Sequence, residues 1–284
     1  MKKRKSRELC SLIILPSNKL GGAEKISSYV GEYLKKKKKT KFIIISKKQE
    51  ENWLNNYIPV VQFQNKSELV GYIKLLPVLI NHSWQYNIES AFSSHVLING
   101  VLGFYRKFGI LKCKRLICRE STNIFERFSG AKLLRFKLFY FLGYSKIDLL
   151  ICQTEHMKNQ LVKSFPKARK WPIKVLPNPV NIKNAKDKSV INFETKPIGN
   201  DYIFTLGRLI KVKDHQSLIK AYKVLNKKYT GLKLIIGGEG PELENLKSLI
   251  ADDDLQNHVQ LIGKLKNPFP YYKNAQLNVI SSIN

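Results

Sequence analysis

The sequence predicts an α/β fold made of two Rossmann-like domains, and three observations carry that expectation. Short apolar runs alternate with helical patterns along the chain, which is how repeated βα units on a parallel sheet read in sequence. The alternation stops over 177–200, where Pro, Asn, Lys, Asp, Ser and Gly dominate, and then resumes. The 284 residues with 43% hydrophobic content can fill two cores, which excludes a disordered chain. The expected domains are therefore 1–176 and 201–284, joined by a linker at 177–200, with a ligand in a cleft between them.

In the first domain, strands are expected at 9–15, 41–45, 60–63, 78–80, 96–98, 115–118, 148–152 and 173–176. A helix is expected over 22–38, because Ile26, Tyr29, Val30, Tyr33 and Leu34 recur at helical spacing. Its last turn leads into five lysines at 35–39, which oppose the negative end of the helix dipole. After the linker, strands are expected at 202–206, 232–236, 259–262 and 277–280, with helices at 214–228 and 241–251. Leu218, Ile219, Tyr222 and Leu225 form the apolar stripe of the first of these helices, Asp214 caps it, and Pro241 suits the start of the second.

Charge narrows the partners only coarsely. Fifty Lys+Arg against 21 Asp+Glu give a formal charge of +29, which attracts nucleic acid, anionic lipid or sugar nucleotides alike. Apolar runs fall far short of the roughly 20 residues that span a bilayer. The basic start at 1–7 followed by apolar 9–15 reads as a buried strand rather than a secretory signal, since Pro16 ends the run and no small-residue cleavage site follows. Cys10, Cys113, Cys118 and Cys152 lack a zinc-binding spacing, so reduced thiols in a cytoplasmic protein and no metal site are expected. The segment 125–144 combines an apolar body with Arg127, Lys132, Arg135 and Lys137, fitting either a core helix or a helix resting on an anionic membrane.

Four loops could carry chemistry. Gly21-Gly22-Ala23-Glu24 follows the first strand and opens a helix, so its backbone amides can approach an anion or a sugar, although a tight turn accounts for it equally. Gly207-Arg208-Leu209 ends a strand and Lys213 stands five residues on at a helix start, a pair of cations where such sheets bind phosphate. Gly237-Gly238-Glu239-Gly240-Pro241 and Leu261-Ile262-Gly263 end two further strands at the same sheet edge. His82, after the expected strand 78–80, is the histidine placed best to face the ligand, with a satisfied, partly buried side chain as the competing account, and Arg119-Glu120 ends another strand.

Taken in order, these segments, with Leu246, Val259, Tyr272, Ala275 and Ser281-Ser282, resemble the retaining glycosyltransferases of family 4. Gly21 to Glu24 is similar to that family's first-loop motif, Asn178-Pro179-Val180 to its element where the domains meet, and Arg119-Glu120 to a pair found in many first domains. The resemblance implies a GT-B architecture with no metal and no cofactor, the nucleotide sugar being substrate. It assigns Arg208 and Lys213 to the donor diphosphate, Gly21 and Gly22 to the transferred sugar or acceptor, and Gly238, Gly240 and Gly263 to the nucleotide surroundings. Arg119 and Glu120 fall on the acceptor side. A hexose-type sugar would pass to a glycan or lipid-linked acceptor, in envelope polysaccharide, lipopolysaccharide or glycolipid synthesis, in the cytoplasm or on the inner face of its membrane.

One departure stands out. The family's acidic loop after Ser-Ser, which holds the donor sugar and ribose, is absent from these residues, so the resemblance implies a truncated second domain and an activity in doubt. Two other readings are a sugar-nucleotide epimerase of the same fold and a basic nucleic-acid-binding protein. The latter has neither an RNA-binding aromatic motif nor a zinc module behind it.

Overall fold

The computed structural model describes residues 7–19, 21–47, 60–199 and 201–283; Met1 to Ser6 of the basic start, Asn200 of the expected linker and the terminal Asn284 lie outside them. The chain divides into two compact units, Met1–Pro179 and Val180–Asn284.

The first unit holds strands β1 (Leu9–Leu15), β2 (Lys39–Ile44), β3 (Val60–Gln62), β4 (Asn87–Ser93), β5 (Cys113–Arg119), β6 (Leu149–Cys152) and β7 (Ile173–Val175). They form one parallel sheet in the order β3-β2-β1-β4-β5-β6-β7. Its helices are α1 (Gly22–Lys35), α2 (Glu68–Gln85), α3 (Val96–Lys107), α4 (Ile124–Arg127), α5 (Gly130–Gly143) and α6 (Glu155–Ser164). The second unit holds α7 (Ile182–Ser189), β8 (Tyr202–Leu206), α8 (His215–Asn226), β9 (Lys233–Gly237), α9 (Leu243–Asp252), β10 (Val259–Leu261), α10 (Phe269–Asn274) and β11 (Leu277–Asn278). Its strands pair in parallel in the order β10-β9-β8-β11.

Central strands are apolar because both faces of a parallel sheet are covered. Leu12 and Ile14 of β1 enter one core with Leu75, Leu79 and Ile98, while Ile13 and Leu15 enter another with Phe42, Ile44 and Phe92. In the second unit Ile203, Leu234 and Ile236 pack against Leu218, Ile219 and Leu246 of α8 and α9. Asp214 caps α8 as expected, its carboxylate accepting the Ser217 amide at 3.3 Å.

Two expected strands are helices. Residues 78–80 lie inside α2, which continues through Pro77. Its inner face is Tyr72, Leu75 and Leu79, and because its outer face is apolar too, the helical period is blurred. Residues 96–98 are the first turn of α3, a helix buried almost all round. The strand between them, β4, was missed because its Asn, Glu and Ser content hides it; Ser90 Oγ and Ser11 Oγ meet at 2.8 Å across the β1–β4 pair. The segment 125–144 is not one helix either, since α4 ends before Phe128 and Ser129, both extended, and α5 restarts at Gly130, whose φ is +57°.

The stretch 177–200, expected as a linker, contains α7, which packs on α10 of the same unit. Helices α3 and α5 touch through backbone, for a Cβ on Gly143 would overlap the Gly100 carbonyl oxygen and one on Gly103 the Gly143 carbonyl. All four cysteines are free thiols.

Candidate active site

In open α/β sheets, ligands bind beyond the carboxyl ends of the strands, where the strand order reverses. In the first unit that point lies between β1 and β4. The loop after β1 enters α1 through Gly21 and Gly22, and a Cβ on Gly22 would meet nothing within 4 Å, so the helix start is open there. Strand β4 ends at Ser93 and is followed by His95, the residue preceding α3. The two loops are joined: His95 Nε2 lies 2.9 Å from Glu24 Oε1, and Ser27 Oγ donates to Ser94 Oγ at 3.3 Å. Burial pushes the Glu24 carboxyl up, but the hydrogen bond and charge of His95 together with backbone hydrogen bonds at Gly21 and Glu24 hold it below its usual value.

His95 also borders a cavity of about 220 Å³. Tyr72, Ser121 and Thr122 give it polar edges, and Ile124, Phe128 and Phe136 an apolar wall. Such a mixture suits a ligand with a polar head and an apolar part.

His82 stands elsewhere. It lies near the carboxyl end of α2, just before β4 begins, and so at the amino-terminal edge of the sheet. Its ring is buried, with Nδ1 2.8 Å from the Val78 carbonyl oxygen, and burial pushes its pKa down. The expected strand at 78–80 placed His82 at the wrong end of the sheet, and the structure gives it the satisfied, buried role that competed with the catalytic one; His95 is the residue that reasoning missed, and reading β4 correctly would have found it.

Arg119 and Glu120 end β5 but do not face open space. Both Glu120 oxygens accept phenol hydrogens, from Tyr144 at 2.7 Å and Tyr140 at 3.0 Å, and burial pushes the carboxyl up to about 6. Arg119 donates through Nη2 to Asn178 Oδ1, and Asn178 Nδ2 donates to Gln153 Oε1 at 2.9 Å. Gln153 Nε2 in turn donates to the Glu120 carbonyl at 3.0 Å. The pair expected on the acceptor side thus binds the ends of β5 and β6 to Asn178.

In the second unit the order reverses between β8 and β11. Arg208 follows β8, its carbonyl accepting from Ile210 N at 2.9 Å and its side chain exposed, with no hydrogen-bond partner for the guanidinium among the described residues. Lys213 Nζ reaches Ser282 Oγ at 3.2 Å, and Ser281 Oγ donates to the Lys213 carbonyl at 2.8 Å. The segment after β11 therefore lies on the loop after β8, and Arg208 and Lys213 share that reversal point.

The glycines explain how the loops interlock. Gly207 N donates to Gly237 O at 3.0 Å, Leu209 N to Glu239 O at 2.9 Å, and Gly238 N to Gly263 O at 2.7 Å. Gly238 has φ +139°, and a Cβ there would overlap the Gly207 carbonyl oxygen; one on Gly240 would overlap that of Leu209. Gly238 and Gly240 therefore serve backbone contact between loops, whereas Gly263, with φ +68°, borders open space. His215 is buried close to Gly207 with neither ring nitrogen hydrogen-bonded, and burial pushes its pKa down. A cavity of about 410 Å³ opens beside it, lined by Lys211, Asp214, Glu242 and Asn245 but by neither Arg208 nor Lys213.

Comparison with known proteins places this geometry. Residues 187–284 match the family model of glycosyl transferases group 1. An uncharacterized glycosyltransferase of Methanocaldococcus jannaschii is 33% identical over 252 residues, 82% of this chain and 61% of the relative. The Campylobacter jejuni N-acetylgalactosamine-N,N'-diacetylbacillosaminyl-diphospho-undecaprenol 4-alpha-N-acetylgalactosaminyltransferase is 30% identical over 171 residues, 60% of this chain and 45% of that protein. The chain thus spans about three fifths or less of these relatives. Among solved structures, Anabaena Alr3699/HepE in complex with UDP superposes with a TM-score of 0.74 at 16% identity, covering 98% of this chain and 74% of its own. The protein is of GT-B type in fold, and its residues 187–284 are similar to the glycosyl transferases group 1 family.

Proposed function

We propose that the chain acts in a glycosyltransferase that moves a sugar, with retention, from a nucleotide-activated donor to a glycan or lipid-linked acceptor. The observation that carries this reading is the pair of cations at the reversal point of the second sheet, Arg208 exposed and Lys213 held by Ser282. As the bond from the anomeric carbon to the diphosphate oxygen breaks, negative charge grows on the diphosphate. Two cations at that edge stabilise the charge more in the transition state than in the ground state, which is what lowers the barrier. The acceptor hydroxyl then forms the new bond on the same face of the sugar, and its proton leaves on the departing phosphate oxygen.

On the first unit, the open helix start at Gly22 and the His95–Glu24 pair offer a site for the sugar or acceptor hydroxyls. The polar-edged, apolar-walled cavity beside His95 supports a lipid-linked acceptor, as does similarity to a transferase named for a diphospho-undecaprenol acceptor. A cytoplasmic location, with attachment to the inner face of the membrane, belongs to the same proposal. Among the described residues no helix is long and apolar enough to cross a membrane.

Calorimetric titration with UDP-sugars tests the donor assignment. Charge-assisted hydrogen bonds contribute about 1.5–3 kcal/mol each, so Arg208→Ala should weaken donor binding by roughly 10- to 100-fold. Unchanged affinity would remove the assignment.

A further inference from the structure

His215 is 4% exposed, yet neither of its ring nitrogens makes a hydrogen bond and both are sealed from solvent. Unpaired buried nitrogens cost stability, and an apolar side chain of similar size would fill the volume without that cost, so packing alone does not account for the ring. The local backbone is special too. Asp214 adopts φ +46°, in the left-handed region that side chains other than glycine's rarely enter, and the residue after this reversal is His215, the first of α8. Its ring lies against the end of β8. A Cβ on Gly207 would stand 3.7 Å from both Cε1 and Nε2 of His215, and 3.7 Å from Lys213 Cδ as well. The ring edge and the lysine stem therefore meet at the residue that precedes Arg208. Toward β9 the same turn is held through its backbone, by Gly207 N on Gly237 O at 3.0 Å and Leu209 N on Glu239 O at 2.9 Å.

We infer that His215 is a positioning residue for the donor diphosphate, its ring fixing the Gly207–Arg208 turn and the Lys213 stem so that both cations address one anion. The inference deepens the proposed function and rests on its assignment of Arg208 and Lys213 to the diphosphate. His215 acts through the two cations it supports. The charges around the ring give this role a signature. Lys211, Lys213 and Asp214 come from the loop before α8 and Glu242 from the loop before α9, while α8 itself brings the neutral Gln216. Burial foremost favours the neutral ring and the Arg208 backbone opposes it; the Lys213 charge adds to burial, and the Asp214 carboxylate counters it. A diphosphate on Arg208 and Lys213 offsets the positive charge, so the charged ring becomes less costly and takes a proton from the buffer as the ligand binds. Binding must then strengthen as pH falls, because a ligand that favours the protonated ring is favoured by protons in return.

The test is calorimetric titration with UDP-glucose and with inorganic pyrophosphate across about pH 5.5 to 8, in two buffers of different ionisation enthalpy, on the parent, His215→Ala and His215→Gln. The buffer dependence of the heat counts the protons taken up, and the difference between the parent and the glutamine variant cancels those of the ligand itself. His215→Ala should weaken binding about tenfold, and glutamine, which restores bulk without a titrating group, should recover most of that loss at about pH 8. At about pH 6 the parent should take up a fraction of a proton that His215→Gln does not. Unchanged affinity in His215→Ala, or equal proton uptake by the parent and His215→Gln, overturns the role of His215. Should His215→Ala fail to fold, the proton count of His215→Gln still decides. UDP-glucose binding that needs Arg208 but takes up no proton keeps the transferase and removes this role. Proton-linked binding of pyrophosphate without binding of UDP-glucose keeps the role and removes the sugar-nucleotide donor, and binding of neither removes both.

Discussion

His95 Nε2 and Glu24 Oε1 lie 2.9 Å apart, joining the loop after β4 to the first turn of α1 across the point where the sheet order reverses. Because the His95 contact and the backbone hydrogen bonds at the start of α1 hold the Glu24 carboxyl below its ordinary value against burial, its stabilising contribution is present above about pH 4.5 and is lost as pH falls through the lowered value. The stability difference between the parent and Glu24→Gln should therefore shrink on acidification below about pH 4.5. Urea melts across pH 3 to 6 would show it; a difference independent of pH would refute the pairing.

Glu120 has the opposite sign. Burial raises its folded value to about 6, so its stabilising contribution is complete below about pH 4.5 and is lost as pH rises through about 6. Relative to Glu120→Gln, the parent should lose about 2 kcal/mol between pH 4.5 and 7. Parallel melts of the two proteins check this, and parallel curves would mean the carboxyl titrates normally.

The catalytic weight of His95 is separable from its packing. Because the ring is partly exposed and lines the cavity, His95→Ala should lower transferase turnover by about 10²-fold, with donor affinity nearly unchanged. His82→Ala should instead lower stability and leave turnover per folded molecule alone. Equal kinetic losses in the two variants would contradict this division.

Two glycines of one sheet edge should respond differently. Gly238→Ala drives a Cβ into the Gly207 carbonyl at a positive φ, and should cost about 3 kcal/mol while disturbing the Arg208 loop and donor affinity together. Gly263→Ala has only its φ of +68° to contend with, so about 1–2 kcal/mol is expected. Melting and UDP titration of both variants decide the matter.

What could be read from residues alone follows from how each element is buried. Strands with apolar side chains on both faces, such as β1 and β8, stand out, and their ends point to Gly21, Arg208 and the glycine loops. Strand β4 hides because neighbouring strands satisfy its serines, and α2 and α3 mimic strands because their apolar residues surround the helix. That single error moved the candidate histidine from one sheet edge to the other. Partnering is a three-dimensional property, so spacing could not reveal that Glu120 is spent on two tyrosines or that Gly238 answers to Gly207.

The backbone contact of α3 with α5 has a mechanical meaning. With Gly100, Gly103 and Gly143 at the crossing, no side chain cushions the two helices, and neither can slide without the other. His95 stands at the head of α3. A displacement of α5 is therefore passed on to His95, so the two helices move as one lever. Enlarging one of these three glycines would push the helices apart and shift His95 without altering its ring.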